Sequence, residues 1–157
     1  MSRRSAYACI LVIAIAGFIE IYPAQADFAA GAQAYDGGDY ATAFEEWQLA
    51  AREGDLAAMV ALADLYRRGT GSRPDVTKAF QWYQRAAKAG NAVAQMNLGE
   101  MYLNGWGTKP DRVFAWVWFD RAAKRGQDWA QDQRIALEQS MSPAQVAKAR
   151  KIRKIGP

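Results

Sequence analysis

The 157 residues suit a single domain of ordinary size. The 20 lysines and arginines against 16 aspartates and glutamates leave a net charge of +4. No long basic stripe carries interleaved aromatics, so nucleic acid is not an expected partner. With no histidine and only Cys9, the chain lacks imidazole general bases, the common zinc ligands and a disulfide framework.

Residues 1–26 are predicted to form a secretory signal peptide. Arg3 and Arg4 supply the positive start, Ala6 to Ile19 is an uncharged apolar run, and Pro23 precedes the small-x-small site Ala24-Gln25-Ala26. A membrane-spanning helix needs roughly 20 apolar residues, and Glu20 ends this run before that. Cys9 lies inside the run with no lipobox around it. Cleavage after Ala26 gives a periplasmic or secreted chain, residues 27–157, with neither cysteine nor histidine. Such a chain meets an oxidising compartment with no disulfide to form.

The first hairpin is expected over 27–54, with Tyr35-Asp36-Gly37-Gly38 as its turn and Asp39 capping its second helix. A repeat then becomes evident. A step of 36 residues carries Gly54 onto Gly90 and Gly126, Ala50-Ala51 onto Ala86-Ala87 and Ala122-Ala123, and Trp47 onto Tyr83 and Phe119. It also carries Leu62, Tyr66, Gly69, Gly71 and Pro74-Asp75 onto Leu98, Tyr102, Gly105, Gly107 and Pro110-Asp111. Units 55–90 and 91–126 each divide into two helices. Ala58, Leu62, Leu65 and Tyr66 mark one apolar face; Ala79, Trp82, Tyr83, Ala86 and Ala87 mark the next. Asp75 and Asn91 stand as N-caps, and Gly90 as the helix-ending glycine. Gly69-Thr70-Gly71 and Gly105-Trp106-Gly107 follow helices and lack a Gly-Lys-Ser/Thr continuation, so they read as turns and not phosphate loops.

The last segment, 127–157, departs from the pattern. Arg134 and Glu138 occupy the places of Leu98 and Tyr102, which predicts a polar, solvent-facing cap on the array. Ser142-Pro143-Ala144-Gln145 has the form of a capping box and opens a basic helix bearing Lys148, Arg150, Lys151, Arg153 and Lys154. That helix reads as a solvated end, or as a weak contact with an anionic envelope surface. One hairpin cannot bury both of its apolar stripes, so the fold class expected is all-α, a right-handed α-solenoid of helical hairpins with about eight helices.

The stretches Ala58 to Gly90 and Ala94 to Gly126 resemble Sel1-like repeats: A-x3-L-x3-Y-x2-G-x-G, an Asp, then A-x2-W-[YF]-x2-A-A-x2-G. The first hairpin resembles the related tetratricopeptide unit, its loop being shorter by five residues. The resemblance implies an adaptor, often in bacterial envelope or signalling complexes; with neither histidine nor cysteine after cleavage, catalysis is not expected and no cofactor is called for. A disulfide-rich branch of the family is associated with penicillin binding or β-lactamase activity; the paired cysteines of that branch are missing here, so the association does not carry over.

The function expected is therefore a monomeric, non-catalytic scaffold taking a protein or peptide partner on its concave face. First helices of successive units line that face in solenoids of this kind, which places Met59, Asp64 and Arg67 beside Met96, Glu100 and Leu103. Asp64 and Glu100 also fit solvated helix faces paired with nearby arginines. Trp106 has Thr70 as its repeat counterpart, so the repeat does not demand an aromatic there; it is either a binding hot spot or a lid on its own hairpin. The rival reading is a small cell-envelope hydrolase working with carboxylates alone, which requires two inward carboxylates, one with a raised pKa.

Overall fold

The computed structural model describes residues 14–15, 18–19 and 28–155. The expected leader and its cleavage site lie outside the described residues, apart from a short antiparallel pair, β1 (Ala14–Ile15) with β2 (Phe18–Ile19). Eight helices follow: α1 (Phe28–Asp36), α2 (Tyr40–Glu53), α3 (Leu56–Arg68), α4 (Val76–Lys88), α5 (Ala92–Asn104), α6 (Arg112–Ala123), α7 (Asp128–Gln139) and α8 (Pro143–Ile155). None of the described helices is long and apolar enough to cross a membrane.

Short polar side chains set most helix starts. Asp39, Asp55, Asp75, Asn91 and Asp111 each accept a hydrogen bond from the backbone N–H three residues on, satisfying a donor that the first helical turn leaves unpaired. Ser142 and Gln145 form the reciprocal capping box at the start of α8.

Each helix from α1 to α6 packs on the next, giving the alternating array of an α-solenoid. The alanine pairs at the ends of α2 and α4 are buried with Leu62, Leu65, Tyr83 and Leu98 in a first core. A second core joins α6, α7 and α8 around Trp116, Phe119, Leu137 and Ala149. Helix α6 contributes to both: Trp118 faces the first core, Trp116 and Phe119 the second. It is therefore apolar around most of its circumference, as a helix enclosed by neighbours must be. Bulk on one helix meets its absence on another. Trp47 lies over Gly31 and Phe119 over Gly99, so closely that a Cβ on either glycine would overlap the ring.

The G-x-G loops have a full structural explanation. Gly69 and Gly105 end α3 and α5 at positive φ, with the rings of Pro74 and Pro110 packed where a Cβ would stand. Gly71 and Gly107, also at positive φ, seat against the preceding unit: a Cβ at Gly71 would overlap the carbonyl of Tyr40, and one at Gly107 the carbonyl of Val76. The extended loop thus joins a unit to its neighbour.

The end of the array corrects one expectation. Arg134 and Glu138 are only half-buried, but their polar ends are not left to solvent alone. Glu138 accepts from Trp116 Nε1 at 3.0 Å and from Arg134 at 3.1 Å, and it pairs with Arg150 of α8. Asp120, buried on α6, pairs with Lys124 at 2.7 Å and with Arg153 of α8 at 3.6 Å. The polar substitutions are matched by charges on α6 and α8, which dock that last helix onto α6.

Candidate partner-binding face

The first helices α1, α3 and α5 carry most of the residues expected to meet a partner. Between α1 and α3 lies a cleft of about 150 Å³, lined by Tyr35, Trp47, Ala61, Asp64, Leu65 and Arg68. Small-molecule sites usually run from about 300 Å³ upward, so this space suits one inserted side chain.

Asp64 has an internal task. Its Oδ1 accepts from the Tyr83 hydroxyl at 2.8 Å and pairs with Arg67 at 3.1 Å. Burial raises the Tyr83 pKa well above that of a free phenol, and the Asp64 charge raises it further, so the hydroxyl remains a donor tying α4 to α3. Asp64 and Arg67 thus follow the locally paired reading. The 36-residue step places Glu100 at the position of Asp64 and Phe119 at that of Tyr83. Phe119 has no hydroxyl to give. Among the described residues the half-buried Glu100 carboxylate makes no ion pair, and only the Glu100 backbone carbonyl is engaged, accepting from Asn104 Nδ2 at 3.1 Å.

The two methionines do not form a matched pair. The repeat step carries Met59 onto Gln95 and Val60 onto Met96. Gln95 is only 2% exposed and donates to the Ala87 carbonyl of α4 at 3.0 Å, which identifies the Met59 position as one that faces inward. Met59 packs on the first core, whereas Met96 and Leu103 are half-buried against the second. Trp106 is 41% exposed, so it is not folded away under its hairpin. Its backbone N–H donates to Met101 O, as Thr70 N–H does to Leu65 O, so the loop shape does not depend on the indole. Through Gly107 this loop reaches the start of α4, where Val76 is 44% exposed. By spacing Val76 belongs to the apolar stripe of α4, in line with Ala79 and Tyr83, so sequence patterning reads it as core; it is left exposed because it stands at the first helical position, beside the next unit's loop.

Charged groups elsewhere serve the fold. The Thr42 hydroxyl and N–H hold Asp39 below the ordinary carboxylate pKa, and the Lys78 N–H does the same for Asp75. Burial alone would push Glu138 up, but Trp116, Arg150 and Arg134 together bring it down. No group of three or more metal-ligating side chains converges among the described residues.

Comparison with known proteins adds the following. The Sel1 repeat family profile matches residues 56–91 and 92–127. A protective antigen of uropathogenic Escherichia coli strains, displaying an SLR fold, is similar in structure with a TM-score of 0.76 and 29% identity, over 80% of this chain and 28% of that one. A Sel1 repeat protein from Oxalobacter formigenes is similar with a TM-score of 0.64 and 30% identity, over 70% of this chain and 43% of that one. The chain thus spans less than half the length of either neighbour. No curated protein matches it.

Proposed function

Since this chain carries two Sel1 repeats within an α-solenoid, and Sel1 repeat proteins are generally protein-interaction scaffolds, we propose that it is an exported, monomeric scaffold. In this reading, residues 1–26 direct it to the periplasm or beyond. A protein or peptide partner docks on the concave face formed by α1, α3 and α5. One observation carries the choice of face. Glu100 lacks the tyrosine and arginine that occupy its counterpart Asp64. Met96 and Leu103 border it on α5, and the exposed Trp106 extends the surface at the hairpin end. A free carboxylate beside apolar side chains fits a partner segment with a basic and an apolar residue.

A photo-crosslinking residue placed at Glu100 or at Trp106 should yield the same dominant adduct in envelope extract. One at Glu45, exposed on the second helix of the first unit, should not. Met96→Ala combined with Glu100→Lys should abolish that adduct while helical circular dichroism stays unchanged. An undiminished adduct from the folded double variant would place the binding surface elsewhere. Export has its own test. The N-terminus of envelope protein should read Asp27-Phe28-Ala29-Ala30, and retention of Met1 would overturn it.

The rival carboxylate hydrolase needs a general acid whose pKa is raised. Asp39 and Asp75 are engaged as helix caps and Glu138 is tied to Trp116, Arg134 and Arg150, all three with lowered pKa, so none of these supplies it.

A further inference from the structure

Helix α8 holds Lys148, Arg150, Lys151, Arg153 and Lys154, with no acid among its residues. Five of the chain's 20 basic residues therefore lie in one helix, and none of its 16 acidic ones. The rest of the chain is close to neutral.

The helix divides its sides cleanly. Val146, Ala149 and Ile152 pack into the second core against α6. Arg150 and Arg153 pair with the carboxylates of Glu138 and Asp120. Lys148, Lys151 and Lys154 remain, all exposed, and none makes an ion pair among the described residues. At intervals of three they form a single row along the helix, about 9 Å from first to last at the helical rise.

We infer that this lysine row is a docking surface for an anionic lipid bilayer. The row runs obliquely over the outer side of a packed helix, opposite Val146, Ala149 and Ile152, and the long lysine stems let all three ammonium groups reach one flat surface together. Lysine is a point charge without the planar fork of arginine, which suits a diffuse field of lipid phosphates more than one defined anion. The exposed residues on the same helix include Ala144 and Ala147, with no aromatic to stack on a base, and its one amide, Gln145, is engaged in the capping box, so the surface lacks the features of a nucleic-acid site. The apolar side of α8 is already spent on α6, so the contact is electrostatic and does not insert. Helix α8 packs chiefly on α6, a second helix of its hairpin, and its lysine row lies on the side turned away from that core. Lipid and partner can therefore be held together, and the inference stands whether or not the proposed concave face binds.

The test is co-sedimentation of the chain with vesicles of phosphatidylcholine containing roughly one-third phosphatidylglycerol, against phosphatidylcholine alone. At about 1 kcal/mol for each lysine at the surface, Lys148→Gln, Lys151→Gln and Lys154→Gln together should weaken partitioning to the anionic vesicles about 100-fold. Raising salt from about 0.05 M to about 0.5 M should release the wild type, because the Debye length shrinks several-fold. A charge-matched control, Arg73→Gln with Lys88→Gln and Lys109→Gln, removes three exposed cations elsewhere and should retain most of the binding. All three forms should keep the same circular dichroism, since every replaced side chain is exposed. Equal binding to both vesicle types, or equal loss in the two triple variants, would overturn the inference. So would lysine-dependent binding to a single-stranded oligonucleotide with none to the vesicles.

Discussion

Glu138 shows how a residue's surroundings overrule its place in a repeat. The 36-residue step aligns it with Tyr102, and the loss of an aromatic there suggests a position that tolerates alanine. Its carboxylate instead joins Trp116, Arg134 and Arg150. Removing one member of a partly buried network leaves the others unsatisfied, at about 1–3 kcal/mol. Glu138→Ala should therefore lower the thermal midpoint measurably. Tyr102→Ala removes a ring packed edge-on against Phe80 and stacked with Phe114 and should cost about 3 kcal/mol. The two variants should also differ in their response to pH. The folded pKa of Glu138 lies below its ordinary value of 4.5. Its contribution is thus complete above that value and is lost as pH falls through the folded pKa. Wild type and Tyr102→Ala should share this acid-limb loss; Glu138→Ala should lack it. Tyr83 offers a simpler case. Tyr83→Phe keeps the ring and deletes only the hydrogen bond to a charged acceptor, for about 2 kcal/mol by urea unfolding. No measurable change would show Arg67 alone to be enough for Asp64.

At the scale of elements, the sequence carries the helices well because each signal is local. Caps at Asp55, Asp75 and Asn91, stripes such as Ala58-Leu62-Leu65-Tyr66, and glycines at helix ends all act within a turn or two of themselves. The turn role of the G-x-G loops is legible on the same grounds. What the second glycine touches is not. Gly107 meets the Val76 carbonyl 31 residues away, and nothing in its local pattern announces that contact. Docking of α8 on α6 is similarly hidden, because the charges that guide it come from three helices. The candidate face was half legible. The step itself equates Asp64 with Glu100 and separates Met59 from Met96, but the engagement of Asp64 by Tyr83 is a tertiary fact. A pair of glycine variants separates local from tertiary demand. Gly126→Ala meets nothing within 4 Å and has only its φ of +84° to contend with, for about 1–2 kcal/mol. Gly107→Ala has a similar φ and an overlap with Val76 O besides, so it should be destabilised clearly further in thermal melts. Equal losses would mean that the loop does not seat on α4.

For the whole molecule, α6 decides how many parts there are. Because Trp118 belongs to the first core and Trp116 to the second, neither core can dissolve without exposing a face of the same helix. Unfolding should therefore be a single transition when followed by circular dichroism and by tryptophan fluorescence together. Separated midpoints would show that the cores act independently.

The joint between units is also a standard part. Gly71 lies against Tyr40 O and the Cβ of Phe44; Gly107 lies against Val76 O and the Cβ of Phe80. Phe44 meets Tyr66 edge-on at 5.1 Å and 82°, and Phe80 meets Tyr102 at 5.3 Å and 81°. A socket that is the same on both sides of a unit makes the unit removable. Excising residues 55–90 would bring α5 and its loop onto α2, with Gly107 on Tyr40 O and Tyr102 on Phe44. The shortened chain should still fold. The length of this array is thus an editable quantity, set by how many interchangeable couplings are strung together and not by a size the fold requires.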